Sequence, residues 1–336
     1  MLTVVIAALN EVESIGETVH RIRQTLEAGK IEHEIIVVND GSTDGTGPLA
    51  RQLGTRVIDH PVPGGYGLAL KAGILKAKYD LIAITDADGT YPCHRIEELY
   101  RFVAEGGYDM AVGARTGKEY RGTFLKMPAR RVFLWMSEYA TGRKIDDINS
   151  GLRVFRKEIV LRYMGTISNG FSFTTTVTLA AMLNGYFTKY VPIPYFKRVG
   201  KSNVRYVRDT LRSLQIIVES IVYYNPLKMF LLVSSFLVAL GLLSTAATAF
   251  CWKTTPIAVS LAFLASLSFV GSVLVGALGL IAVLVRRIGD RDAELRWRNG
   301  QRSDPLGRRG HAGDLMSDAP SARLASRVAR DEPDEP

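Results

Sequence analysis

Residues 82–92, Ile-Ala-Ile-Thr-Asp-Ala-Asp-Gly-Thr-Tyr-Pro, decide how the rest of the chain is read. An apolar run ends in two carboxylates one residue apart, Asp86 and Asp88, and a Gly and a Pro follow at once. A short unbroken apolar run of this kind fits a strand buried on both faces of a parallel sheet. Open sheets of that class bind ligands outside the carboxyl ends of their strands. Two carboxylates at i and i+2 on a bent loop can converge on one hard divalent cation, Mg2+ or Mn2+, with Thr90 adding an oxygen. Spacing alone leaves a second reading open, a solvated turn at a strand end.

The same punctuation recurs outward from this stretch. The apolar run 2–8 leads into Asn10-Glu11, the run 34–38 into Asn39-Asp40, and the run 110–113 into Ala114-Arg115. Helical spacing separates them, over 13–26 (Ile15, Val19, Ile22, Leu26), 46–53, 68–77 and 96–105. Strands alternating with helices at this interval predict an α/β fold, a doubly wound and mostly parallel sheet with its polar loops along one edge. A helix over 128–141, a strand ending near 155, a helix over 174–184 and a strand-like run at 190–196 complete this region.

Such an edge suits a nucleoside diphosphate. Asp40 can accept the imide N–H of a base. Asp86 and Asp88 can hold the cation that neutralises a departing diphosphate. Lys71, on the helix after Gly64-Gly65-Tyr66-Gly67, can reach a phosphate. That glycine run has neither the order nor the context of a dinucleotide fingerprint or a Walker loop, so it reads as a turn.

The carboxyl-terminal third is different. Residues 229–252 and 254–285 contain no Lys, Arg, Asp or Glu. Each is long enough to cross a hydrocarbon core of roughly 30 Å, which takes about 20 helical residues. The expected organisation is a catalytic domain over 1–203, an amphipathic interfacial helix over 204–225, transmembrane helices over 226–252 and 256–285, and a disordered tail over 290–336. In the interfacial segment Val207, Leu211, Leu214, Val218 and Ile221 share a face, with Arg205, Arg208 and Arg212 off it. The tail composition is polar and Arg/Asp-rich. Lys228 before the first span and Arg286, Arg287 and Arg291 after the second outweigh Lys253 in the turn between them. The positive-inside rule therefore sets both ends on the cytoplasmic side of a cell membrane. The apolar start, 2–8, is too short and lacks the basic flank of a signal peptide. Cys93 and Cys251 suggest neither a disulfide nor a metal cluster.

The net charge of +9 does not come from the tail, where nine Arg face ten Asp or Glu. Its densest source is Lys197, Arg198, Lys201, Arg205, Arg208 and Arg212 against Asp209. No nucleic-acid module is legible, and a membrane partner for that cluster, anionic lipid or a lipid phosphate, fits better.

The segments 4–11, 34–46 (EIIVVNDGSTDGT), 86–92 (DADGTYP), 147–155 (DINSGLRVF), 194–203 (PYFKRVGKSN) and 223–230 (YYNPLKMF) together resemble glycosyltransferase family 2. Within it they resemble the polyprenyl-phosphate sugar synthases typified by dolichyl-phosphate mannose synthase. The resemblance implies a GT-A fold, a nucleotide-sugar donor and Mg2+ or Mn2+. It implies that Ala7, Leu9, Glu11, Val38 and Asp40 line the nucleoside pocket and that Asp86, Ala87 and Asp88 form the metal and diphosphate motif. Arg115, Arg131, Arg198 and Lys201 would then bind donor and acceptor phosphates. The family often has Pro and Tyr where Ala7 and Leu9 stand.

The expected reaction is inverting transfer of one sugar from a UDP- or GDP-sugar to a polyprenyl phosphate at the cytoplasmic leaflet, with Asp86, Asp88 and Arg115 as catalytic residues. A lipid monophosphate has a second pKa of about 6, so at pH 7 it needs cations to hold it rather than a base to activate it. Asp147 sits where a base could stand, and a structural or orienting role is the favoured of its two readings. Two alternatives stay open: a lipid-linked sugar hydroxyl as acceptor, or a non-catalytic membrane subunit that binds a partner. A homo-oligomer is compatible with either.

Overall fold

The structure, a computed structural model, describes residues 1–117, 127–197, 226–251 and 255–302, together with Gln215, Val218, Glu219 and Val222. The chain divides into two compact units between Ile217 and Val218.

The first unit is built on seven strands: β1 (Leu2–Ala8), β2 (His33–Asn39), β3 (Arg56–Asp59), β4 (Leu81–Asp86), β5 (Met110–Thr116), β6 (Arg153–Arg156) and β7 (Thr188–Pro194). They lie in the order β3-β2-β1-β4-β6-β5-β7. All pairings are parallel except those of β6, which runs antiparallel to both β4 and β5. Helices α1 (Ile15–Ala28), α2 (Thr46–Gln52), α3 (Tyr66–Lys76) and α4 (Ile96–Ala104) connect the early strands. Helices α5 (Met127–Thr141), α6 (Lys157–Arg162) and α7 (Phe173–Leu183) follow.

Strand alternation sorts the core into two layers. Leu2, Val4 and Ile6 of β1 face Ile15, Val19 and Ile22 of α1 and Leu99 of α4. Val5 points the other way, into Leu70 and Ile74 of α3 and Phe173 and Val177 of α7. These side chains are fully buried, each stabilising the fold by about 1.5–3 kcal/mol of transfer free energy. This is the doubly wound, mostly parallel α/β fold expected from the sequence, and helices on both faces explain why its strands are apolar throughout.

The strand order reverses between β1 and β4, which opens a crevice at their carboxyl ends. Register puts Ala7 level with Val38 on one side and Asp86 on the other, so three strand ends reach this edge together.

The second unit contains α8 (Pro226–Phe250) and α9 (Thr255–Arg302). Both are long and apolar enough to cross a membrane. They pack through small residues. A side chain at Gly241 would meet the Phe269 ring at 3.1 Å, and one at Gly279 would meet Phe230 at 2.6 Å. Ser234 Oγ donates to the Ser272 carbonyl at 3.1 Å. Leu243, Phe250, Phe263 and Val273 face outward and exposed. Small residues inside and large apolar ones outside are the pattern of helices packed in lipid.

The apolar span 256–285 has the bounds expected for the second membrane segment, and the helix that carries it continues to Arg302, into the segment expected to be disordered from 290. Asp292, Ala293, Glu294, Leu295 and Arg296 contain no helix breaker, and the next proline is Pro305, so charge alone does not end the helix. The interfacial helix expected over 204–225 lies outside the described residues, apart from the helical Gln215, Val218, Glu219 and Val222. The remainder of the tail, 303–336, lies outside them too.

Candidate active site

The end of β4 carries the two aspartates into a tight turn. Asp88, only 5% exposed, accepts hydrogen bonds at Oδ1 from the Thr90 backbone N–H at 3.1 Å and the Thr90 hydroxyl at 2.6 Å. This is an Asx turn that fixes the carboxylate. The Thr90 hydroxyl, expected to add an oxygen to the cation site, donates its hydrogen to Asp88 and keeps its lone pairs. Ala87 between them is buried, and its carbonyl accepts from the Thr18 hydroxyl at 3.1 Å.

Asp86 is held from two sides. The Tyr66 hydroxyl, at the start of α3, donates to Asp86 Oδ1 at 2.8 Å. Gly151 also lies so close that a Cβ there would sit 2.8 Å from Oδ1 and 3.0 Å from Oδ2. The antiparallel register explains this approach. Ile84 pairs with Arg153, so two residues on, Asp86 meets Gly151. The Gly151 N–H donates to the Tyr91 hydroxyl at 2.7 Å. Burial, and then the nearby Asp86 charge, push the Tyr66 pKa well above its ordinary value, so the phenol stays protonated and can act as the donor.

The loop bearing Gly151 is pinned by a buried cation. Arg153 is 0% exposed and donates to the carbonyls of Ile148, Ser150 and Thr174 and to the Thr178 hydroxyl. Burial lowers its pKa from the usual arginine value. An arginine inside the apolar run Leu152–Phe155 is a sequence signal for such a pin, and the sequence reading passed over it.

Arg115, at the end of β5, forms a bidentate pair with Asp147: Nε to Oδ2 at 2.7 Å and Nη2 to Oδ1 at 3.0 Å. The Arg115 backbone N–H also donates to Oδ2 at 3.2 Å, and the Asn149 N–H to Oδ1 at 3.1 Å. The guanidinium stacks over the Tyr195 ring, 5.3 Å from its centroid, and Tyr195 meets Tyr91 edge-on. Burial works against the Arg115 charge, but Tyr91 and Asp147 hold its pKa above the ordinary arginine value. The Asp147 carboxylate is thus engaged by the Arg115 fork and by two backbone N–H groups.

The end of β2 behaves differently. Asp40 accepts from the Gly64 N–H at 2.9 Å, the Gly65 N–H at 2.8 Å and His60 Nδ1 at 2.7 Å. Its carboxylate closes the 60–65 turn, the place where a base N–H was expected. The ends of β1 and β2 are laced together beside it. Asn10, in a left-handed conformation, accepts the Thr43 N–H at 2.8 Å, and the Glu11 N–H donates to the Thr46 hydroxyl at 2.9 Å.

Other expectations shift. Lys71 does not reach the edge: burial lowers its pKa, and Nζ is taken by the carbonyls of Met164 and Ile167 and by Asn169 Oδ1. Val38 is 0% exposed in the layer against α3, so its side chain is core and not pocket lining. Ala7, Leu9 and Glu11 are part-exposed at the edge. Arg131 is exposed on α5. Arg198 and Lys201 lie outside the described residues.

Among the described residues no group of three or more His, Cys, Asp or Glu could hold a metal by itself. A pair of carboxylates still fits Mg2+ or Mn2+, which are held by one or two carboxylates and complete their shell with substrate phosphates and water.

Residues 3–164 match the family model described as Glycosyl transferase family 2. The dolichyl-phosphate hexose transferase of Haloferax volcanii is 30% identical over 204 residues, spanning 60% of this chain and 86% of that protein. The polyprenol monophosphomannose synthase of Mycolicibacterium smegmatis is 31% identical over 229 residues, 62% of this chain and 83% of that protein. A solved structure of glucosyl-3-phosphoglycerate synthase from Mycobacterium tuberculosis, in complex with Mn2+, UDP-glucose and phosphoglyceric acid, aligns with a TM-score of 0.53 at 20% identity. The alignment covers 66% of this chain and 79% of that one, a likeness of fold.

Proposed function

We propose, from the premise that this chain belongs to glycosyl transferase family 2, that it transfers one sugar from a nucleotide-sugar to a polyprenyl phosphate. The observation that carries this reading is the Asp86–Asp88 turn at the switch point of the sheet, on a chain that also has two membrane-length apolar helices. Two of the relatives described above are named for transfer to dolichyl phosphate or polyprenol phosphate. The glycosyltransferase of similar fold was solved with Mn2+ and UDP-glucose.

In this reading Asp86 and Asp88 hold Mg2+ or Mn2+. The cation, when bound, neutralises charge on the departing diphosphate. Ala7, Leu9, Glu11 and the ordered 39–46 loop border the nucleoside. Asp40 acts by holding the 60–65 turn beside it. Arg131, Arg198 and Lys201 supply positive charge for the phosphates, with Arg115 as a fixed cation at the same edge. An oxygen of the lipid phosphate attacks the anomeric carbon on the face opposite the diphosphate, giving inversion. Because the attacking phosphate is already dianionic near pH 7, no side chain removes a proton from it. The charge flanking the two spans supports a cytoplasmic face for this chemistry.

The test incubates membranes containing the full chain with labelled UDP- and GDP-sugars and a polyprenyl phosphate. Formation of one labelled lipid with polyprenyl phosphate alone is the expected outcome. Label transfer only when a sugar-bearing lipid is supplied would support the hydroxyl-acceptor alternative instead. Asp147→Asn keeps the acceptor geometry towards Arg115 in part, so it should leave measurable turnover, reduced about 10–100-fold. Loss as complete as that of Asp88→Ala would contradict the base-free mechanism.

A further inference from the structure

We infer that Tyr66 is a positioning residue for the carboxylate of Asp86, and that Phe171 holds Tyr66 in that role. This deepens the proposed function and rests on its reading of Asp86 as a cation ligand.

The geometry begins at the start of α3. The Leu68 N–H donates to the Asn169 carbonyl at 2.9 Å, and Ala69 N–H to the Gly65 carbonyl at 3.0 Å. Gly67 is pressed onto the neighbouring loop, where a Cβ would meet the Ser168 carbonyl at 2.4 Å. These contacts dock the first turn of α3 on residues 168–170. The Tyr66 ring lies on Phe171, with centroids 6.1 Å apart and planes 9° from parallel. From this docked start the phenol reaches Asp86 Oδ1.

Tyr66 therefore ties two segments distant in sequence, the 168–171 loop and the end of β4. The second contact of the carboxylate is Gly151, whose missing side chain leaves Asp86 seated against backbone. Held between a donor hydroxyl and a glycine, the carboxylate is ordered before a cation arrives, and binding need not supply that order. Groups that orient a metal ligand in this way typically affect metal affinity or activity by about 10–100-fold. Phe171 is 51% exposed despite its size, so its visible contribution is to the ring beneath it rather than to the core.

The test uses the full chain in detergent, with Mn2+ binding followed by electron paramagnetic resonance in the presence of UDP and, separately, GDP. Tyr66→Phe keeps the ring and its stacking but deletes the hydroxyl. Phe171→Leu leaves the hydroxyl and loosens the ring. Near-ultraviolet circular dichroism reports whether each variant retains its fold. The expected result is Mn2+ affinity weakened about tenfold in Tyr66→Phe and by less in Phe171→Leu. Turnover should recover at saturating Mn2+, so the loss falls in the metal requirement rather than in kcat. Unchanged Mn2+ affinity in a folded Tyr66→Phe would overturn the inference and leave the proposed function standing. A wild-type chain that binds no Mn2+ with either nucleotide would overturn the proposed function itself.

Discussion

Asp86 and Asp40 occupy matching places, each at the carboxyl end of a parallel strand, on either side of β1. Their surroundings differ. Asp40 accepts two backbone N–H groups and a histidine, all from the single 60–65 turn. Asp86 takes a tyrosine hydroxyl from the start of α3 and lies against a glycine ahead of β6, two segments on either side of it in sequence. One acid closes a single turn; the other is set in place by two separate parts of the fold. Position at a sheet edge nominates an acid for chemistry, and its hydrogen-bond partners decide whether it serves a ligand or the protein.

Three substitutions sharpen this contrast. The largest effect belongs to Asp88→Ala, which removes a proposed cation ligand along with the anchor of the Thr90 turn. Electrostatic stabilisation by a bound cation is worth several kcal/mol, so turnover should fall by about 10³-fold or more in the labelled-lipid assay. Next comes Gly151→Ala. The added methyl would sit 2.8 Å from Asp86 Oδ1 and 3.0 Å from the other two carboxyl atoms, and a displacement of about 1 Å at a reacting centre can cost on the order of 10²-fold. Its melting temperature should move only modestly while kcat falls; a large joint loss would mean that Gly151 serves folding more than the site. Asp40→Asn is the mildest. The amide oxygen can still accept one N–H, but the charge facing His60 is gone. The expected cost is about 1–3 kcal/mol of stability by thermal or chemical denaturation, with the metal requirement unchanged. A shifted metal requirement would erase the distinction between the two acids.

Much of the sheet was legible because strand identity depends on local pattern. The runs at 2–8, 34–38 and 110–113 are strands within a few residues of their expected ends, and the acids at those ends lie where the alternation puts them. Partners were not legible, because they come from far along the chain. Lys71 sits on a helix that leads from the edge, but Met164, Ile167 and Asn169 are folded onto it and take its three N–H groups. Arg115 and Asp147 are 32 residues apart, and no spacing rule predicts their bidentate pairing. Val38 follows the strand period into the core, which overrides a pocket role assigned by motif alone. Arg153 shows the reverse case. A charged residue within an apolar run is a conflict visible in sequence, and the carbonyls around it are the resolution.

Strand β6 has a further consequence. Because it runs against its neighbours, the chain leaves the sheet at Thr116 and re-enters at Arg153 on the same edge. Both ends of the 117–152 segment thus lie at the carboxyl edge of the sheet, and its return brings Gly151 against Asp86. Doubling the length of such an excursion costs only about 0.6 kcal/mol in closure entropy. The part of this segment that can vary at low cost therefore stops short of its return, where Asp147 holds Arg115 and Gly151 lies against Asp86.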